Sequence, residues 1–517
     1  MLIPDILWHN AACRPDKTAV IAGERRLSFA AVAGRAARFA NALRGLGIRP
    51  GDRVAVLAAN TAEHVEIVFA IGDAGAVWVP LNIRLAPREL AVIIEDCDAR
   101  AVVYTHDLAA SVEALRERVP HLAIWIGVGA QSLAGDHAYE RMLGAASATR
   151  PEADIADEAL FSIMYTSGTT GLPKGAMLSH RAFFIGTILS TLALRASQDD
   201  VKLQAIPQFH AGGQIYQLAH LAAGAAIVIL PRFEPDLVFR LIESEGVSAA
   251  GFVPSMLMAL VEAPKVRSTD FRRLRRVLYG GSAIPADRLL RAMELMPAAF
   301  LQTYGLTEAG VLATVLDEAD HEYGRREDPR VLHSCGRAML GYQVQAVDDR
   351  GKPVRDGEIG EIAIRADSLM TGYWRRPEAT AQTLVGGWLK TGDLARQDES
   401  GRFSIVDRKK DMIVSGGENV YPTEVENVIA SHADVLGVAV IGVPDERWGE
   451  AVKALIVRRP GAAPEAAAII AACRGRLGGF KLPKSIEFVE SLPRNASGKL
   501  LKSHLREKYW AGRERKV

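Results

Sequence analysis

Short runs of β-branched and apolar residues alternate with stretches whose apolar residues recur at helical spacing, and this alternation most limits the fold. Residues 53–57 (RVAVL) read as a strand, 62–76 as a helix, and 77–80 as extended chain again. The rhythm returns at 101–104, 226–230, 249–253 and 276–279, each followed by a helix-like segment. Strands alternating with helices predict βαβ units and mostly parallel sheets. After about residue 340 the texture changes. Segments 343–349, 360–365 and 402–407 read as short strands between Gly and Asp turns, which predicts a compact antiparallel or barrel-like subdomain. A charged run, Asp407-Arg408-Lys409-Lys410-Asp411, would ordinarily be a solvated turn, but it sits where a linker belongs. The expected architecture is therefore α/β. A large N-terminal domain, 1–406, carries the barrel-like part at about 341–406. A hinge at 407–411 leads to a small α+β C-terminal domain, 412–517. A chain of 517 residues, at about 150 per domain, agrees with several such units.

Composition narrows the function classes. Hydrophobic residues at 49% and charged residues at 24% exclude a disordered, collagen-like or coiled-coil chain. Lys plus Arg (62) nearly balances Asp plus Glu (61), so no global field draws the chain to nucleic acid or an acidic membrane. The basic stretch 506–516 reads as a solvated tail. Cys13, Cys97, Cys335 and Cys473 form no C-x-x-C pair, which predicts buried free thiols in a reducing compartment. The first residues, MLIPDILWHN, lack a basic n-region, and the most apolar stretch, 218–230, is too short to span a bilayer. A cytoplasmic protein is expected.

The chemistry concentrates in residues 161–175, FSIMYTSGTTGLPKG. An apolar strand runs into a turn rich in Ser, Thr and Gly, then a lysine. Glycines admit backbone N–H groups close to an anion, hydroxyls add donors, and Lys174 adds charge. Three threonines, one serine and three glycines within eleven residues favour a phosphate-binding loop over a plain turn. The string is not the Walker A form.

YTSGTTGLPKG resembles the signature loop of the adenylate-forming superfamily, which includes acyl- and aryl-CoA ligases, firefly luciferases and peptide-synthetase adenylation domains. The resemblance continues in family order. Pro207-Gln208-Phe209-His210 is similar to the aromatic-His segment, and Gly280-Gly281-Ser282-Ala283 to the adenine-site turn. Tyr304-Gly305-Leu306-Thr307-Glu308 is similar to Y-G-x-T-E, and Thr391-Gly392-Asp393 to T-G-D. Residues 407–422 resemble the hinge and the G-G-E-N-x-Y-P loop, and 493–499, PRNASGK, the C-terminal lysine motif.

The resemblance implies a two-step reaction. A carboxylate attacks the α-phosphate of ATP, and the thiol of CoA then attacks the acyl-adenylate. By the same resemblance, Thr166, Ser167, Gly168, Thr169 and Thr170 would cradle phosphates, with charge from Lys174. Thr307 and Glu308 would hold phosphate and Mg²⁺, with Thr170 as a further oxygen ligand, since a hard cation takes oxygen donors. Gly281, Ser282, Ala283 and Tyr304 would line the adenine site. Asp393 and Arg408 would anchor the ribose. Lys499 would bridge carboxylate and phosphate in the first step, and Lys410 would be the hinge about which the C-terminal domain turns. Gly416, Gly417, Trp448, Phe480 and Lys484 would meet CoA, although Leu482 stands where some relatives carry arginine. A homodimer is compatible with the family.

The acid itself would lie against 208–221, 251–260 and 305–315, none of which contains Lys or Arg. A second carboxylate would be unpaired there, which disfavours small dicarboxylates. His210 stands where amino-acid-activating domains place an Asp, which disfavours amino acids. It would orient the acyl carbonyl or close the pocket until CoA binds. Gly212, Gly213, Tyr216, Val311 and Leu312 are the expected pocket residues, with Tyr216 and Gln214 able to meet a ring hydroxyl. A hydrophobic monocarboxylic acid follows, with a medium- or long-chain fatty acid preferred because the whole-chain pattern is most similar to bacterial fatty-acyl-CoA ligases. An aryl- or cinnamate-type acid is the alternative. A stand-alone adenylation enzyme serving a carrier protein is the third reading. No carrier module is seen after residue 499, so a fused carrier is not expected.

Overall fold

The computed structural model describes residues 1–129, 132–166, 173–282, 284–416, 418–474, 476–494 and 500–511. Two compact units emerge: Met1–Val344 with Ile364–Leu389, and Gln345–Ala363 with Lys390–Val517.

The first unit holds two large sheets. One has nine strands, in the spatial order Arg337–Ala338, Thr314–Leu316, Ala299–Tyr304, Arg276–Gly280, Ala249–Phe252, Val201–Gln204, Ala226–Ile229, Thr18–Ala22 and Arg25–Ser28. Its centre is parallel and its edges are antiparallel. Inner strands such as Ala226–Ile229 and Ala249–Phe252 are buried throughout, hence their unbroken apolar composition. The other sheet has eight strands: Gly372–Tyr373, Lys174–Ser179, Leu160–Thr166, Val77–Pro80, Arg53–Leu57, Ala99–Thr105, Ile124–Val128 and His137–Ala138. Side-chain caps start the helices where the sequence places hydroxyls. Ser28, Thr61 and Ser179 each accept a first-turn N–H, opening Phe29–Gly45, Ala62–Asp73 and His180–Ala193. The main core lies where Phe239, Leu257, Leu289 and their neighbours pack on Leu203, Ala250 and Val277.

The second unit contains strand Phe403–Arg408, paired antiparallel with Trp388–Gln397 in a five-stranded sheet. It also contains another five-stranded sheet, in which Gly449–Arg458 pairs with Val435–Asp445, Ile413–Ser415 and Ser485–Phe488. Helices Pro422–Ala430 and Ala466–Cys473 supply Val425, Ile429, Ile469 and Cys473 to its core.

Several expectations change in detail. The charged run 407–411 is no solvated turn, because Asp407 (5% exposed) and Asp411 (9%) are buried. Cys97, Cys335 and Cys473 are buried thiols, whereas Cys13 is exposed. The apolar stretch 218–230 divides into the end of helix Ala211–Ala223 and strand Ala226–Ile229. Among the described residues, no helix is long and apolar enough to cross a membrane.

Candidate active site

In the first unit the expected site residues gather at the C-terminal ends of the parallel strands, where open α/β sheets bind ligands. Strand Leu160–Thr166 pairs with Lys174–Ser179, and Thr166 stands directly opposite Lys174. The intervening Ser167, Gly168, Thr169 and Thr170 lie outside the described residues, as do Ala283, Gly417 and Lys499. Gly175 is required by packing: a Cβ there would meet Ile163 at 2.5 Å and the Tyr165 ring at 3.1 Å.

Strand Ala299–Tyr304 ends in a tight turn. A Cβ on Gly305 would fall 1.9 Å from the Val311 carbonyl oxygen, so only glycine fits. Thr307–Ala309 forms one 3₁₀ turn, closed by Gly310 at φ 75°. Val311 follows at φ 92°, strained for a β-branched residue. The turn buries Glu308 (8% exposed). The Thr166 hydroxyl donates to Glu308 Oε1 at 3.2 Å, and the Tyr373 hydroxyl donates to the same oxygen at 2.9 Å. Lys174 Nζ lies 5.3 Å from the centre of the Tyr373 ring. The sequence marks Tyr373 only by its place in T-G-Y-W just before the Arg375-Arg376 pair. Gly281 (φ 85°) and Ser282 follow strand Arg276–Gly280 on the same edge.

His210 caps helix Ala211–Ala223, its Nδ1 accepting the Gly212 N–H at 3.2 Å. In the neutral ring the proton is thereby assigned to Nε2. The ring keeps a solvent-accessible edge but is crowded by protein, and this desolvation, with the Arg84 charge, pulls its pKa below the ordinary value. Gly212 leaves open space beside the ring, whereas Gly213 packs against the Ile206 and Pro207 carbonyls. Tyr216 is buried, lies over Gly251, and shares a 2.6 Å hydrogen bond with the Thr303 hydroxyl. Burial pushes its phenol up to about 12. Gln214, two residues earlier, is rotated about 200° around the helix from Tyr216. The two cannot share a wall, and both amide atoms of Gln214 are buried with no partner among the described residues. Val311 and Leu312 are buried beside the turn.

The second unit brings other expected residues together. Asp393 faces Arg408 across the Trp388–Gln397 and Phe403–Arg408 pair, joined by an ion pair of 2.8 Å. Gly392, at φ 72°, allows its N–H to meet Glu361 and Asp393 N–H to meet Thr391 Oγ1. Lys410 is half-buried in the turn Lys409–Asp411, and desolvation lowers its pKa. Gly416 (φ 62°) lies under Trp448: a Cβ would sit 2.7 Å from the indole. Trp448 and Phe480 expose 39% and 40% of their surface, and Lys484 is exposed. Leu482, by contrast, packs on the unit's apolar core.

The first unit's strand edge brings together a buried acid, whose second oxygen meets no donor among the described residues, a lysine, a helix-capping histidine and glycine-only turns. Residues 7–374 match the model of the AMP-binding enzyme family, and 424–499 match that of the AMP-binding enzyme C-terminal domain. The chain belongs to the AMP-binding, adenylate-forming enzymes. It is 40% identical over 505 residues to a feruloyl-CoA synthase of an Amycolatopsis species, covering 97% of each chain. A long-chain-fatty-acid–CoA ligase, FadD13, of Mycobacterium tuberculosis is 36% identical over 487 residues, 94% of each. Among solved structures, the anthranilate CoA ligase AuaEII in complex with anthranoyl-AMP superposes with a TM-score of 0.89 at 30% identity, covering 98% of this chain and 97% of that one. This adenylate-forming enzyme is accordingly an AMP-forming acid–thiol ligase of the acyl-CoA ligase class.

Proposed function

We propose that this enzyme converts a planar aromatic monocarboxylic acid, of the benzoate or hydroxycinnamate type, to its CoA thioester through an acyl-adenylate. One observation carries the choice of acid: the Tyr216 ring, pinned to Thr303 at 2.6 Å over Gly251. A ring held there would close the space behind Gly212 to an aliphatic tunnel, and the acid would then meet a flat slot near Val311 and Leu312, both buried beside the Glu308 turn. The feruloyl-CoA synthase relative supports the same class. The fatty-acyl reading, preferred from sequence, ranks second on the support of the FadD13 relative.

In the first step the acid would lie in this slot with its carboxylate toward the α-phosphate of ATP. The Nε2–H of His210 would orient the acyl carbonyl. Tyr304 would stack on adenine beside Gly281 and Ser282, and Asp393, its position set by Arg408, would accept from the ribose. Lys499 would bridge the two anions as pyrophosphate leaves. Catalysis of this kind is mostly positioning and charge neutralisation. The residues fit a Mg²⁺ ion. The described residues hold no cluster of three or more acidic, His or Cys ligands, and a single buried carboxylate suits a cation that takes its other oxygens from water and phosphate. When bound, the ion would neutralise phosphate charge. Domain 412–517 would then turn about Lys410, withdrawing Lys499 and presenting Gly416, Gly417, Trp448, Phe480 and Lys484 to CoA.

The test is pyrophosphate release with ATP, Mg²⁺ and CoA across acetate, octanoate, palmitate, benzoate, coumarate, ferulate and malonate. Aryl acids should give a kcat/KM at least about tenfold above octanoate, a difference of 1.4 kcal/mol. A peak among the aliphatic acids sinks the aryl assignment. Turnover that CoA fails to accelerate would instead support the carrier-protein reading.

A further inference from the structure

Tyr373 stands at a junction that the reaction, as read above, leaves without a role. It belongs to the two-residue edge strand Gly372–Tyr373, which pairs antiparallel with Lys174–Ser179 so that Tyr373 opposes Ala176. Its backbone is therefore fixed to the hairpin that follows the phosphate loop. Trp374 N–H donates to Gly175 O at 2.8 Å and Thr371 N–H to Met177 O at 2.9 Å, holding both sides of the residue in register. Its hydroxyl reaches the other sheet's edge and donates to Glu308. The same segment braces the Glu308 turn from behind: Met370 N–H donates to Glu308 O at 2.9 Å, and Ser368 Oγ donates to Ala309 O at 3.1 Å.

Two details of geometry give this junction chemical content. First, the Thr166 and Tyr373 hydroxyls both bind Oε1 of Glu308, and among the described residues no donor is directed at Oε2. A carboxylate held by two donors on one oxygen presents the other in a fixed direction. Second, the Lys174 ammonium lies over the Tyr373 ring and makes no ion pair with Glu308. A lysine and a buried carboxylate this close to one ring would otherwise tend to pair, and the pair would consume the charge meant for phosphate on one side and cation on the other. An aromatic face holds an ammonium firmly enough to bias its position and weakly enough to release it.

We propose that Tyr373 is a positioning residue. Its hydroxyl aims the free oxygen of Glu308 at the metal–triphosphate, and its ring keeps Lys174 apart from that carboxylate until the phosphates arrive. The proposal rests on Glu308 as the cation-holding acid. Burial and the adjacent Glu308 charge push the Tyr373 phenol well above its ordinary pKa, so it remains a donor throughout the working pH range.

Two variants separate the two contributions. Tyr373→Phe removes the hydroxyl and keeps the ring. The Mg²⁺ concentration giving half-maximal pyrophosphate release should rise about tenfold, the equivalent of one hydrogen bond to a charged group, with the KM for the acid unchanged. The affinity of Mn²⁺ in the enzyme–ATP complex, read by electron paramagnetic resonance without turnover, should weaken by the same factor. Tyr373→Leu removes the ring as well, and should in addition raise the KM for ATP at saturating Mg²⁺. Mg²⁺ and Mn²⁺ responses equal to wild type in Tyr373→Phe would overturn the proposal. So would an acid KM that moves in step with them, since that marks a general loss of structure. Glu308→Gln supplies the control on the underlying reading: an unchanged metal requirement there would remove Glu308 from the cation site, whatever Tyr373 does.

Discussion

Lys202 shows best how a residue's chemistry departs from its place in a pattern. In the sequence it interrupts a strand as a solvated lysine would, yet in the fold it is fully buried. Strand alternation puts it on one face with Asp200 and Gln204, beneath helix Ala211–Ala223, while Leu203 enters the main core. Its amine meets the Gln204 side-chain oxygen, and among the described residues no carboxylate pairs with it. Burial lowers its pKa from 10.5 to about 7. Between those values the unfolded chain holds a proton that the folded chain lacks, so this group makes stability rise with pH across that window. Its full penalty is present below pH 7. Lys202→Met, similar in length and apolar, should unfold several degrees higher than the parent at pH 6, with the advantage shrinking toward pH 10 as the cost of taking the proton off the unfolded-state amine falls away. Thermal midpoints taken across that range check it, and parallel curves would mean that the amine stays charged. Residues 161–175, Thr307-Glu308 and His210 drew attention in the sequence because each lies in a local string with its own chemistry, although the helix-capping place of His210 did not show there. Tyr373 did not draw attention, because its partners Thr166, Lys174 and Glu308 are distant in sequence and meet only through sheet pairing.

At the scale of elements, the C-terminal helix Lys502–Trp510 explains why the charged run at 407–411 is buried. This helix is mostly polar and is held by directed bonds. Arg506 pairs with Asp411 at 2.7 Å, Lys502 with Glu426 at 2.8 Å, and the Trp510 indole donates to Gly442 O at 3.0 Å. The Arg506 and Asp411 side chains are each only 12% exposed. Burial raises the Asp411 pKa, but Arg506, Lys502 and Lys410 more than offset this, and the carboxyl ends below its ordinary value. The pair therefore contributes stability above the ordinary carboxyl range and loses it as pH falls through the depressed pKa. Arg506→Ala leaves a buried charge unpaired and should cost about 2–3 kcal/mol, somewhat less than a fully buried pair. Amide exchange within 503–510 should then quicken on the order of thirty- to hundredfold, and the swap of Asp411→Arg with Arg506→Asp should restore much of the protection. Unchanged exchange would show that packing alone holds the helix. A run of five charges could not reveal this, because Arg506 lies 95 residues from Asp411.

For the whole molecule, the alternation of strand and helix was enough to foresee an α/β architecture, because each strand–helix unit is a local pattern. The order of strands was not foreseeable. Thr18–Ala22 pairs with Ala226–Ile229, a choice made by burial across two hundred residues. The proposed division at 407–411 has a consequence for turnover that neither half of the chain shows alone. If one chemistry needs Lys499 and the other needs the Gly416–Trp448 face, a chain fixed in either arrangement supports a single half-reaction. Lys410→Pro narrows φ at the proposed pivot to about −65° and removes a backbone donor. Acyl-adenylate formation is followed by pyrophosphate release without CoA, and thioester formation by supplying preformed acyl-adenylate with CoA. One of the two should fall about a hundredfold or more, with the other within threefold of wild type, because closure gates only the step it assembles. Lys499→Ala serves as the reference, abolishing the first step and sparing the second. A proline variant in which both steps fall together would mean that the turn is needed for folding. One in which neither changes would place the pivot elsewhere in the chain.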